Sequence, residues 1–370
     1  MIDLEFVINT LSLGSLYALL ALGLVLVYGI LKLVNFAYGE YIMMGGYAMY
    51  LSVTAFGAPW YVTLLLAIVA AVVTSYLTEL VAFRPVRTKS PSAMIITSFA
   101  VSIFLQNIVL VLVSSRARAV QFPSFFSRTI AFAGATVPLR NLLVIAVTAV
   151  VLVALSILMK KTVLGMAMRA AADKFTTTRL MGVPANLVIS AAFIISGLLA
   201  GTASIFWVSR SASVDPLTGA APLLIAFIAV VIGGMHSTTG AVVGGFVYGL
   251  IFNLLSILLP ASMISYRDAF MFVIVVLFLL LAWRGYGVAL RSEDRYSRYL
   301  AFGLTTLIVL QAFLNIAVVI GLVPATGVPL PFFSAGGSSM LVTLIMGGML
   351  LNLARHSPRA QREWRDERRV

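Results

Sequence analysis

Residues 7–30, VINTLSLGSLYALLALGLVLVYGI, run for twenty-four positions without a charged side chain. A helix needs about 20 consecutive apolar residues to cross the hydrocarbon core of a bilayer, so this stretch is read as a transmembrane span. No basic leader precedes it, since MIDLEF carries only Asp3 and Glu5, and no small-residue cleavage signal follows. The stretch is therefore expected to be a first span and not a removable signal peptide.

The same pattern recurs along all 370 residues. Apolar residues make up 61% of the chain and charged residues 10%, whereas a soluble domain carries about 25% charged residues. One water-soluble core cannot enclose so much apolar surface. The chain is read as an all-α, polytopic helical membrane protein of about eleven spans. These are expected near 7–30, 36–56, 60–83, 92–113, 139–159, 187–208, 220–235, 241–259, 267–283, 299–321 and 338–354. The seventh is short and bounded by glycine, which suits a re-entrant or broken helix enclosed by protein.

The net charge of +13 would suit nucleic acid, but its distribution argues for the membrane instead. With the N-terminus outside, six of the 25 basic residues face out: Arg116, Arg118, Arg128, Arg140, Arg210 and Arg267. The others gather at Lys32, around Arg84 and Arg87, between Lys160 and Arg179, between Arg284 and Arg298, and in the C-terminal tail. That bias predicts a cytoplasmic C-terminus. Trp60, Trp207 and Trp283 fall at span ends, as interfacial anchors do. With no cysteine in the chain, disulfides and thiolate metal sites are excluded. Gly197 with Gly201, Gly240 with Gly244, and Gly245 with Gly249 have the four-residue spacing that lets helix backbones approach closely.

The longest informative polar stretch is Lys160–Asn186, KKTVLGMAMRAAADKFTTTRLMGVPAN. It is too polar to span, Arg169 to Asp173 favours helix, and Gly182 with Pro184 supplies a stop. Such a segment serves either as a docking knob for a partner or as an interfacial connector. Asn35, Gly39 and Glu40 sit at the edge of the second span. The polar pair suits either a water-lined pathway or capping, with Asn35 as N-cap and Glu40 in the first turn. Glu79 is expected to reach Arg84 or Arg87, a structural role, and the lone His236 is expected to be structural rather than a metal ligand.

Several of these blocks resemble the branched-chain amino acid ABC permease family. They are Gly14-Ser15-Leu16-Tyr17-Ala18-Leu19, Asn35 to Glu40 (with Tyr38 where that family usually has His), Met168-Arg169-Ala170, Leu180-Met181-Gly182-Val183, and Val214-Asp215-Pro216 through Gly245. The resemblance covers about residues 5–270. It implies an inner-membrane transport subunit whose cytoplasmic loop, carrying Met168, Arg169, Ala170, Asp173, Arg179, Leu180 and Gly182, docks on an ATPase. The implied partners are two ABC ATPase subunits, a second homologous permease, a periplasmic substrate-binding protein and the bilayer, with no nucleic acid. No cofactor is expected in this chain: ATP would be bound and hydrolysed by the partners, since the sequence has no Walker-type glycine loop.

From about Val275 the sequence changes character. Gly321 to Gly327 and Pro329-Leu330-Pro331-Phe332-Phe333-Ser334-Ala335-Gly336-Gly337-Ser338-Ser339 are similar to the end of the SEDS family of cell-division and rod-shape glycosyltransferases. Ala325 and Ala335 stand where Thr and Tyr are common in that family. Pro324 and Pro331 would stiffen this loop. Gly327, Ser334, Gly336, Gly337 and Ser338 would offer donors to a pyrophosphate-like headgroup, or the loop simply joins two helices. The expected organisation is a permease-like domain over 1–270, SEDS-like spans over 271–356 and a basic tail over 357–370. Glycosyl transfer needs a positioned base. The acidic residue that family uses precedes the matched segment, where this chain is permease-like, so no catalytic residue is expected. The alternatives are a SEDS-type peptidoglycan glycosyltransferase fragment, or a chimera inactive in both roles.

Overall fold

The computed structural model describes residues 4–87, 91–132, 135–234, 237–258, 280–292, 294–319 and 337–355. The chain divides into two compact units, one over residues 3–253 and one over 254–370 with the first two residues. The larger unit contains α1 (Leu4–Leu31), α2 (Tyr38–Phe56), α3 (Trp60–Leu77), α4 (Pro91–Leu112), α5 (Leu139–Lys161), α6 (Val163–Leu180), α7 (Ala185–Ser211) and α8 (Ala220–Gly233), and most of α9 (Thr238–Leu258). Six described helices are long and apolar enough to cross a membrane: α1, α3 with its extension, α4, α5, α7 and α9.

The centre of the larger unit is α1. A helix that is apolar on every side has no face suited to water and is buried on every side, and 89% of the most apolar window of α1 is buried. It packs against α5, α6, α7 and α8. By contrast only 11% of the corresponding windows of α4 and α5 is buried, so their apolar side chains are left for lipid. α8, at 14 residues, is about 21 Å long, short of the ~30 Å hydrocarbon core. Its buried side chains, among them Ile225, Ala226 and Ala229, fit the enclosed short helix expected from the sequence.

The glycine pairs act as the spacing predicts. A Cβ on Gly245 would lie 2.6 Å from the Cα of Ala18, and one on Gly249 2.7 Å from the Cα of Gly14, so α9 crosses α1 backbone to backbone. Gly197 and Gly201 of α7 meet Val72 and Ile68 of α3 in the same way. Hydroxyls and amides add polar ties between helices. Ser75 donates to the Phe193 carbonyl at 2.7 Å, Ser196 to the Gly23 carbonyl at 2.8 Å, and Asn253 to Thr10 at 2.7 Å.

Two features add to the all-helical expectation. Between α4 and α5 a hairpin pairs Thr129–Phe132 with Ala135–Pro138, and Arg118–Ala119 pairs with Ser213–Val214 after α7. These segments are too short to span and take extended pairings instead, Thr129, Ile130, Thr136 and Val137 supplying β-branched side chains to the hairpin. At its far end α3 widens into a π-helical stretch, Thr78–Phe83, closed by a hydrogen bond from the Arg84 N–H to the Glu79 carbonyl at 2.8 Å.

In the smaller unit residues 280–291 are helical, followed by α10 (Arg295–Val319) and α11 (Gly337–Arg355). The sequence placed a span end near Trp283, yet the helix continues to Arg291. Gly285 does not break it, because its bare face receives Thr305. Ala289, Ala301, Leu304, Ile308 and Leu350 form a small core, with Leu281, Val288 and Met346 packed against it. Asp294 starts α10 by accepting from the Ser297 N–H at 2.9 Å. The backbone and hydroxyl hydrogen bonds of Ser297 hold its carboxyl below the usual carboxylate range. Most of the span expected over 267–283 lies outside the described residues.

Candidate functional site

The polar stretch after α5 folds as α6. Thr162 caps it: its hydroxyl accepts the Gly165 N–H at 3.0 Å, and its carbonyl accepts the Met166 N–H at 3.0 Å. Met168 and Ala171, three residues apart and so on one face, are buried, which is how α6 is anchored. Arg169 and Ala170 are exposed. Asp173, Arg179 and Leu180 lie further along the same helix. Gly182 then takes φ 85°, a left-handed conformation that glycine adopts without a Cβ penalty, and Pro184 opens α7. The helix-and-stop pattern read from the sequence is therefore present, with α6 presenting Arg169 from a buried anchor.

The docking residues read from the sequence did not include two exposed methionines of this surface. Met181 is 80% exposed and Met166 52%. Methionine is adaptable and polarisable, a side chain suited to docking surfaces. The available signal was an apolar side chain within a stretch too polar to span. The cap gives a direct check: Thr162→Ala is expected to weaken α6 by about 1 kcal/mol, seen as faster amide exchange over residues 163–172 with the exchange of α1 unchanged.

The exit from α6 is fastened to α3 by a buried carboxylate. Glu79, fully buried, lies 3.4 Å from Nη1 of Arg87 and 3.7 Å from Nε of Arg84. Its other oxygen accepts from Ser190 at 2.8 Å, and Arg87 also donates to Asn186 at the start of α7. Glu79 thus meets both arginines. The π-helical stretch turns it inward and adds Ser190 and Asn186, which sequence reading did not connect to it.

The other polar cluster belongs to α2. The position before its first turn is Ala37, with no side-chain cap, so Asn35 is not the N-cap that the sequence allowed. It stands two residues earlier, accepting the Ala37 N–H at 3.1 Å and donating to the Tyr41 hydroxyl at 3.0 Å. Glu40 does stand in the first turn, as the sequence allowed, but its side chain reaches further than the helix end. Its Oε1 crosses to α4 and accepts from Ser102 and Gln106, each at 2.8 Å, while Oε2 is buried without a hydrogen-bond partner. Gly39 packs backbone to backbone against Gly219 at the start of α8. Ser102 and Gln106 were missed as partners. Their signal was two polar side chains four residues apart in an apolar helix, hence on one face.

His236 and, in the SEDS-like loop, Pro324, Gly327, Pro331, Ser334 and Gly336 lie outside the described residues, while Gly337 and Ser338 begin α11. Among the described residues no group of acidic, histidine or cysteine side chains has the makings of a metal site.

Comparison with known proteins finds two families along the chain, overlapping at residues 270–282. Residues 6–282 match the family described as branched-chain amino acid transport system / permease component, and residues 270–359 match the family described as cell cycle protein. The high-affinity branched-chain amino acid transport system permease protein BraD of Pseudomonas aeruginosa is 33% identical over 260 residues, covering 67% of this chain and 84% of that protein. The corresponding permease protein LivH of Escherichia coli strain K12 is 31% identical over 290 residues, 75% of this chain and 92% of that protein. The probable peptidoglycan glycosyltransferase FtsW of Geobacter metallireducens is 52% identical over 82 residues, which is 22% of each chain. No solved structure matches. The chain belongs to the permease family of branched-chain amino acid transport systems, as a polytopic membrane protein with a C-terminal segment similar to the cell cycle protein family.

Proposed function

We propose that the chain is the membrane-spanning permease subunit of an ABC importer for branched-chain or related amino acids, in the bacterial inner membrane. The observation that carries this reading is α6 with the turn after it: Arg169 and Met166 on the helix and Met181 in the turn are exposed over a buried anchor, within a chain of this family. In this reading α6 seats on a cytoplasmic ATPase. The full assembly has two ATPases, a second permease and a substrate-binding protein outside. ATP is hydrolysed by the ATPases, and this chain gates a pathway. Eleven spans with the N-terminus outside would put α6 in the cytoplasm, which the distribution of basic residues supports. Glu40, with its free oxygen, and the adjacent Asn35 and Gly39 are assigned to the wall of that pathway. A buried carboxylate in a span is retained at a cost in stability that a role in transport accounts for.

The experiment is affinity purification of the full-length chain and of a form truncated after Arg284, scoring ATPase recovery, followed by uptake in proteoliposomes. Arg169→Glu is expected to preserve folding and membrane insertion, lower ATPase recovery, and cut ATP-driven uptake of leucine at least tenfold. Wild-type uptake by that variant would rule out α6 as the coupling element.

The 52% identity of the C-terminal segment over 82 residues favours a second reading, in which this end contributes to glycan polymerisation. Because the chain spans about a fifth of that relative's length, the segment is assigned here as an appended helix group and not a polymerase. Recovery of ATPases with the truncated form alone would mean that the segment obstructs assembly, and the chain would be inactive as a transporter.

A further inference from the structure

At one end of the larger unit the helices part to leave a cavity of about 560 Å³. Its walls are apolar, from Leu22 and Leu26 on α1, Leu152 and Leu155 on α5, and Val242 on α9. Its rim is cationic: Lys32 follows the end of α1, Lys160 lies in the last turn of α5, and Arg169 comes from α6. Ser237, Thr238 and Thr239 at the start of α9 complete the rim with hydroxyls. Among the described side chains, which do not include that of Asp173, none of the three cations has an ion-pair partner.

Three charges at one end and hydrocarbon along the rest define an amphipathic ligand. From Leu22 to Lys32 the wall runs about 15 Å along α1, the reach of a substantial part of an acyl chain. A phosphate or a partner's carboxylate would answer the cations and leave that apolar slot unused. Basic pockets between spans suit anionic headgroups in the same way. We propose that the cavity binds an anionic phospholipid, one acyl chain lying between α1, α5 and α9 and the phosphate held by Lys32, Lys160 and Arg169. Because Arg169 belongs to α6, the bound lipid ties that helix to the ends of α1 and α5. The proposal depends on the membrane placement of these helices and not on the transport reading.

The test is native mass spectrometry of the full chain in detergent, titrated with phosphatidylglycerol, phosphatidylcholine and inorganic phosphate, with thermal melting as a check on folding. The wild type is expected to retain phosphatidylglycerol in preference to phosphatidylcholine. In Lys32→Gln/Lys160→Gln the phosphatidylglycerol affinity is expected to fall about thirty-fold, the loss of two headgroup cations. Gly29→Phe probes the slot separately. Gly29 lines the cavity and a Cβ there meets no atom within 4 Å, so the ring enters open space, and lipid affinity is expected to fall while the cations remain. Should the lysine variant fail to fold, Gly29→Phe alone decides. Unchanged lipid binding in the variants overturns the proposal. So does displacement of the lipid by millimolar phosphate with Gly29→Phe indifferent, which identifies a soluble anion. Loss of ATPase recovery in the lysine variant without any change in lipid binding assigns the cations to a partner protein, and likewise overturns it.

Discussion

Gly245→Leu is expected to abolish the folded protein, lowering the monodisperse yield in detergent at least tenfold. At Gly245 a Cβ would fall 2.5 Å from the backbone nitrogen of Ala18 and 2.8 Å from the carbonyl carbon of Tyr17. Those are backbone atoms in the middle of the most buried helix, so a rotamer change cannot relieve the contact. Overpacking a core costs about 1–3 kcal/mol when side chains can give way, and here α9 must lift away from α1. The loss then spreads along the crossing, because Gly249 meets Gly14 one turn later and Asn253 bonds to Thr10 and the Phe6 carbonyl a turn beyond that. Against a total stability of about 5–15 kcal/mol, losing the whole line is decisive. Gly29→Ala is the control, since its Cβ meets nothing, and it should express and elute as wild type. A normal elution profile for Gly245→Leu would mean that α1 and α9 do not cross at these glycines.

What could be read from the sequence divides along physical lines. Helix positions were legible over much of the described chain, because apolar length is a constraint the bilayer imposes residue by residue, and six of the described helices are long and apolar enough to span. The helix over residues 60–83 and the break at Gly182 and Pro184 fall where the sequence places them. The small-residue spacing of Gly245 and Gly249 announced a close crossing but could not name α1 as the partner. The continuation of the helix past Trp283 was hidden because an apolar run marks where a span ends at Arg284, not where the helix does, and the packing of Thr305 on Gly285 is visible only in the fold. The polar clusters were only half legible. Glu40 and Glu79 stood out as carboxylates in apolar surroundings, whereas Ser102, Gln106, Ser190 and Asn186 are ordinary residues until tertiary contact brings them to a buried charge. The apparent capping pattern at Asn35 misled for the same reason: its amide serves Tyr41 and the turn before the helix, not the helix end.

The Glu79 network yields the other large expected effect. Glu79→Ala would leave Arg87, whose side chain is 15% exposed, and Arg84, at 37%, without their carboxylate, and would leave the Ser190 hydroxyl without its acceptor. Removing one partner of a buried ion pair costs about 3–5 kcal/mol. Because Arg84 reaches water, the lower end, about 3 kcal/mol, is expected, as a clear fall in the detergent melting temperature. Glu79→Gln keeps an acceptor for Ser190 and should lose less. Combining it with Arg87→Gln removes the charge that faced the carboxylate and should recover part of the loss; with Arg87→Gln alone as the fourth member, the cycle gives the coupling between the two side chains. The functional consequence follows from where the network sits. Arg87 holds Asn186, the second residue of α7, just beyond the turn that ends α6. A docked ATPase pulling on α6 would act through this turn on a point fixed to α3, so loosening it should depress uptake more than ATP hydrolysis. If Glu79→Ala melts within about 0.5 kcal/mol of wild type, the difference expected of an ordinary surface substitution, then water satisfies both arginines and the link from α6 to α3 must be carried by the remaining contacts of α7, among them its packing on α3 and the Ser75 hydrogen bond.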